Sequence, residues 1–216
     1  MKHKLLIITF FILTNIAFGQ MEQLIGLRNL YSKTDSLIKL KKPFVITEEF
    51  KSTLIDLDKG HPAKFFEKFN EYLNKDKFDE CSFLYHLGVL RYRYYNATNK
   101  DYQASGDGAL FSSLKYMTGE IISIYLKNDI DKYIEILNSV DNYCENNDYT
   151  FHSKFINLEK YNELKFVDLI KNLSENKNTF TEEWSKERKE MKDNLDKAVE
   201  EFNKMSEEDK KELNKN

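Results

Sequence analysis

Turn-forming residues are scarce in this chain: 7 glycines and only 2 prolines, Pro43 and Pro62, in 216 residues. An all-β fold turns every few residues and draws on both types, so the shortage excludes a sandwich or barrel and points to helices. Cysteine is limited to Cys81 and Cys144, whose spacing matches no zinc-site pattern. Neither sign of charge dominates. There are 33 Lys and Arg against 36 Asp and Glu, and loss of Lys2 and Lys4 with a leader would make the chain more acidic. Such a chain has no general attraction for nucleic acid or an anionic membrane. Catalytic signatures are missing as well. There is no Gly-x-Ser-x-Gly elbow, phosphate loop or HExxH pair, and His61, His86 and His152 are far apart along the sequence. The stretch from Asn96 to Asp107 fails the calcium-loop pattern, with Ala104 where glycine is needed. The sequence therefore assigns no catalytic residue, no metal ligand and no cofactor.

What is present begins at the N-terminus. Met1-Lys2-His3-Lys4 is basic, Leu5 to Phe18 is largely apolar, and Ala17 and Gly19 put small residues at the −3 and −1 positions before Gln20. That order is the pattern of a secretory signal peptide. The apolar run is shorter than the roughly 20 residues of a spanning helix, which favours cleavage after Gly19 over a retained anchor. The mature protein is then exported, to the periplasm or the medium, with no membrane span. The expected organisation is a leader over 1–19, a helical domain over 20–205 and a frayed tail over 206–216.

Apolar spacing predicts an all-α, single-domain bundle of about seven to nine helices. Leu24, Leu27, Leu30, Leu37 and Leu40 define the first, which Pro43 ends. Thr47 caps a second that stops at Gly60, and Pro62 opens a third with Phe65, Phe66 and Phe69 on its buried side. A fourth spans 82–97. The segment 107–127 is apolar around much of its circumference and belongs, on that ground, in the middle of the bundle. Asp129 caps the next helix, which ends near Glu145; another runs from about Leu158 to Leu173. A charged helix from Thr181 carries Trp184, Met191, Leu195, Ala198, Phe202 and Met205 at heptad-like spacing, suited to a partner helix or to its own domain.

One constellation stands out. Arg91-Tyr92-Arg93-Tyr94-Tyr95 ends one helix, and Ser105-Gly106-Asp107-Gly108 begins the next. Arg91 shares a flank with Leu84, Leu87 and Gly88, so its guanidinium needs an acceptor, and Asp107 is the candidate. Either Arg91, Tyr94, Tyr95, Tyr102 and Asp107 line a pocket for an anionic or peptide group, or Asp107 merely caps its helix and pairs with Arg91. On the capping reading Asp107→Ala costs roughly 1 to 3 kcal/mol. Cys81 and Cys144 are either a disulfide, which export permits, or two buried thiols.

The run His86-Leu87-Gly88-Val89-Leu90-Arg91-Tyr92-Arg93-Tyr94, followed by Ser105-Gly106-Asp107-Gly108-Ala109-Leu110-Phe111, resembles a family of uncharacterised exported bacterial envelope proteins over about residues 86–150. The resemblance implies a helical exported domain and no particular reaction. Aromatic residues make up 14% of the chain, which suits a tyrosine-rich interface but also follows from AT-rich codons. The expected function is binding of another protein, as a periplasmic inhibitor or immunity-type protein. The alternatives are an envelope hydrolase with a nonstandard site around His86, Arg91 and Asp107, and a structural envelope component that assembles through its C-terminal helix.

Overall fold

The computed structural model describes residues 18–205, with side chains from Met21 onward. The leader and the tail expected from the sequence lie outside that range, except that Phe18 and Gly19 already begin the first helix. The helices are α1 (Phe18–Lys39), α2 (Glu48–Leu57), α3 (Ala63–Leu73), α4 (Phe78–Thr98), α5 (Ala109–Leu126), α6 (Ile130–Asn146), α7 (Leu158–Glu163), α8 (Val167–Glu175) and α9 (Lys177–Lys204). A π-helical turn, Ala104–Gly108, precedes α5, and a 3-10 turn, Lys154–Ile156, precedes α7. The described residues contain no strand; the chain is an all-α single domain. None of its helices is long and apolar enough to cross a membrane, among the described residues.

Local chemistry sets most boundaries. The Thr47 hydroxyl accepts from the Phe50 amide at 3.2 Å, and Glu48 and Glu49 fill the first turn of α2. Asp129 accepts from the amides of Asp131 and Lys132 at 2.9 and 3.1 Å and so starts α6. At the other end of α6 the buried Lys154 ammonium donates to the carbonyls of Cys144, Glu145 and Asn147, groups a helix terminus leaves without partners. The expected helix over 158–173 is in fact two. The Asp141 carboxylate takes the Phe166 amide at 3.1 and 3.0 Å, which starts α8 afresh from a side chain on α6. A single residue, Asn176, then separates α8 from α9.

The centre of the bundle is α4, not the segment 107–127. Thirteen of α4's residues are buried, Phe78, Phe83, Leu87 and Tyr94 among them. In α5 only the C-terminal half is buried, through Thr118, Ile122, Ile124, Tyr125 and Leu126, while Tyr116 and Met117 are 83% and 61% exposed. Apolar content misplaced the centre because α4 buries Ser82, His86 and Arg91 along with its hydrocarbon, which makes its sequence read as an ordinary surface helix. Gly88 brings α3 against it: a Cβ there would lie 2.9 Å from the Phe65 Cβ.

The stripe along α9 packs within its own domain. Phe180 and Trp184 stack on each other, and Trp184 lies against Tyr133 of α6. Val199 and Phe202 close a small cluster with Met21 of α1. Between these contacts Arg188 donates to Asp35, to the Thr34 hydroxyl and to the carbonyls of Tyr31 and Ile124, which ties α9 to α1 and α5.

Candidate functional site

The turn that joins α2 to α3, Asp58 to Pro62, presents one functional side chain inward and another outward. Inward, Asp58 meets Arg91 of α4. The guanidinium donates from Nε to Oδ1 at 2.9 Å and from Nη2 to Oδ2 at 3.2 Å, a bidentate pair that is fully buried on the arginine side. The Tyr143 hydroxyl donates to the same carboxylate at 2.9 Å, and Arg91 Nη1 donates to the Tyr161 hydroxyl. The rings of Tyr149 and Tyr161 lie 5.0 and 5.5 Å from the guanidinium. The Asp58 carbonyl accepts from the Phe151 amide and the Thr150 hydroxyl, and the Gly60 carbonyl accepts from Tyr149. Burial pushes the Asp58 carboxyl up, while Arg91 and Tyr143 pull it back. The pair stays ionised at neutral pH because a neutral Asp58 would leave a buried guanidinium uncompensated.

This corrects the sequence-based pairing: the acceptor of Arg91 is Asp58, 33 positions upstream, and not Asp107. Nothing in the local sequence distinguishes Asp58 from its neighbour Asp56, which is exposed and pairs with Lys59. Periodicity shows that Arg91 faces inward but does not show which helix end supplies its partner.

Outward, His61 meets Asp107. His61 Nε2 lies 3.1 Å from Asp107 Oδ1, and both side chains are 29% exposed. His61 Nδ1 accepts from the Ala63 amide at 3.3 Å, so the ring carries its proton on Nε2 and donates it to the carboxylate. Asp107 belongs to the π-helical turn and does not cap α5, which starts after Gly108 with no side-chain cap. Around this pair stand Tyr92, Tyr95 and Phe151, with ring centroids 5.3, 5.3 and 5.9 Å from His61. Tyr95 also lies 5.3 Å from the ring of His152. The Thr98 hydroxyl gives its proton to the Tyr94 carbonyl and so accepts from His152 Nε2 at 2.7 Å. The buried Tyr92 hydroxyl has no well-formed hydrogen bond. Burial, then the nearby Asp107 carboxylate, raises its pKa, and the same causes with Asp101 raise that of Tyr95.

The five residues proposed from sequence therefore divide. Tyr95, Tyr102 and Asp107 share the outer face, with Tyr102 resting its hydroxyl on Gly108. Arg91 and Tyr94 are core residues. Tyr94 donates to the Ser153 and Lys154 carbonyls and accepts from the Asn157 amide, which fixes the segment leading into α7. The trio His86, Arg91 and Asp107 is not one site. His86 is buried, donates from Nδ1 to the Ser82 carbonyl at 2.8 Å, and packs against Tyr133 and Phe166. His61, which sequence reasoning passed over, is the histidine at Asp107; its position before Pro62 at a helix start was the available signal. Cys81 and Cys144 are separate buried thiols, so the bridge that the sequence allowed is not formed. Cys81 points instead to the Phe69 carbonyl, and burial pushes both thiols up. No group of three or more His, Cys, Asp or Glu able to hold a metal ion occurs among the described residues. No protein family, curated protein or solved structure matches this chain.

Proposed function

We propose that this is an exported binding protein whose target is another protein, of the inhibitor or immunity type, engaged through the outer face around Tyr95 and Asp107. The observation that carries the reading is the set of apolar side chains left in solvent beside that face. Tyr102 and Phe151 are 41% and 43% exposed, and on the segment that continues from Phe151 the side chains of Phe155, Ile156 and Leu158 are 69%, 59% and 45% exposed. Rigid aromatics at low entropic cost make good interface anchors. The acidic groups Asp101 and Asp107 on the same face suit a partner with a basic, partly apolar surface. A hydrolytic reading is weaker here because both nitrogens of His61 are engaged, one by Asp107 and one by the Ala63 amide, so it has no free lone pair to act as a base.

The test is capture from the cell envelope with residues 20–216 as bait, followed by affinity measurement on the captured protein. Phe151→Ala and Asp107→Lys, each first shown to be folded by circular dichroism, should weaken binding at least tenfold, and the loss from Asp107→Lys should shrink in high salt. Equal affinity of both variants for the captured protein, or no captured protein, overturns the reading.

A further inference from the structure

On a different side of α4 lies a cavity of about 330 Å³, bounded by α4, the Lys115 region of α5, Tyr133 of α6 and the corner between α7 and α8. Several strong hydrogen-bonding groups of its lining make no hydrogen bond to another side chain or backbone group among the described residues. His86 is the first. Its Nδ1 proton is committed to the Ser82 carbonyl, which leaves Nε2 as a bare acceptor, and no described residue donates to it. Burial pushes its pKa down to about 4, so the ring stays neutral and keeps that lone pair at ordinary pH. The hydroxyls of Tyr85 and Tyr133 on the same wall also make no hydrogen bond among the described residues. At the mouth, Arg93 pairs with no carboxylate among the described residues, and Lys115 has only the Phe111 ring beneath it. The other two charges that line the cavity neutralise elsewhere: Lys165 with Glu145 at 3.1 Å and Glu163 with Lys160 at 2.8 Å. Phe166 and Leu169 supply an apolar floor. A second cavity of about 340 Å³ shares Tyr85, His86, Tyr133 and Leu169, so these residues stand as a wall with space on both sides.

We propose that this cavity binds a small organic carboxylate with an apolar body and a hydroxyl or amine at its far end. Two free cations at the rim meet the carboxylate, the apolar floor takes the body, and His86 Nε2 accepts the distal proton. These cavity groups are open to water rather than sealed in the core, and a ligand that replaces that water with matched hydrogen bonds and an apolar body binds there. The size falls within the range of ordinary small-molecule sites. The proposal does not depend on the protein-binding face, which uses other residues of α4.

The probe is 4-hydroxyphenylacetate, with 4-hydroxyphenylacetamide as its uncharged control, titrated into the full mature chain. Binding is followed by calorimetry and by the ¹⁵N resonance of His86 Nε2. The expected result is saturable binding of the carboxylate with an upfield shift at His86 Nε2, and at least tenfold weaker binding by the amide. Arg93→Ala with Lys115→Ala, both exposed side chains, should also weaken it at least tenfold without changing the unfolding midpoint. Equal binding of acid and amide, binding untouched by the double variant, or a His86 resonance that does not move under a saturating probe each overturns the proposal.

Discussion

Asp58 and His61 stand three residues apart on one turn and serve opposite ends. Asp58 turns inward, where Arg91 and Tyr143 meet its carboxylate and three tyrosine rings close off the water. His61 turns outward to Asp107, partly open to solvent, beside Tyr92, whose buried hydroxyl has no well-formed bond of its own. Both are pairs of opposite polarity joined by hydrogen bonds. The inner one is closed on every side and therefore fixes how α2, α4 and α6 meet; the outer one is open and adaptable. The difference lies in hydration: removal of one partner from a dry pair strands a charge, while water replaces a lost partner at the rim.

The largest effect should come from breaking the inner pair. Arg91→Ala leaves Asp58 buried and uncompensated, and is expected to destabilise the fold by about 3 to 5 kcal/mol in urea unfolding. Arg91→Met combined with Asp58→Leu should recover part of that loss, because removal of both charges also removes their desolvation cost. A loss below about 1 kcal/mol for the single variant would show that water reaches the pair, and the contrast with the outer face would collapse.

Acid sharpens the same contrast. The buried His86 ring, held near 4, refuses a proton that the unfolded chain takes at about 6.5. A base with a depressed folded pKa costs nothing above the unfolded value and destabilises as pH falls towards the folded one. Stability should therefore decline between pH 6.5 and 4 with a slope of up to about 1.4 kcal/mol per pH unit. His152, also lowered by burial, adds in the same direction. Asp58 and Asp141, whose carboxyls burial raises, act the opposite way. The readout is thus the difference in stability between the protein and His86→Gln, which should be constant above pH 7 and shift steadily against the protein as pH falls from 6.5 towards 4. A parallel decline in both would mean that His86 does not carry the effect.

Tyr143→Phe removes one hydrogen bond to Asp58 and leaves the bidentate arginine in place. It should cost about 1.5 to 3 kcal/mol by the same unfolding measurement, the range for a bond to a charged group. A cost as large as that of Arg91→Ala would mean that the network fails as a unit.

Periodicity and caps made the helices legible: Thr47 and Asp129 start α2 and α6 where the sequence puts them. What hid from it were contacts made by side chains far apart in the chain. The break before α8 depends on Asp141, 25 residues upstream of the amide it takes. The central role of α4 was concealed by its buried polar residues, and an excess of apolar residues in α5 pointed to the wrong helix. At the site, the inward face of Arg91 and the aromatic character of the outer face were readable from spacing and composition. The partners were not, because any of many acidic residues could serve an arginine, and the turn that delivers Asp58 and His61 is set by how α2 and α3 pack.

The smallest effect is expected at Asp107. Loss of a helix cap there would cost roughly 1 to 3 kcal/mol, but the carboxylate caps no helix and its histidine partner is within reach of water. Asp107→Ala should therefore cost less than about 1 kcal/mol. Asp107→Asn, which keeps an oxygen to accept the His61 Nε2 proton, should leave stability unchanged while it removes the negative charge offered to a basic partner. The two faces then separate in one pair of measurements, because binding falls and the unfolding midpoint stays put. A large stability loss from Asp107→Asn would mean instead that the charge anchors the π-helical turn to the start of α3, and the outer face would have to be counted as framework in the same sense as the inner one.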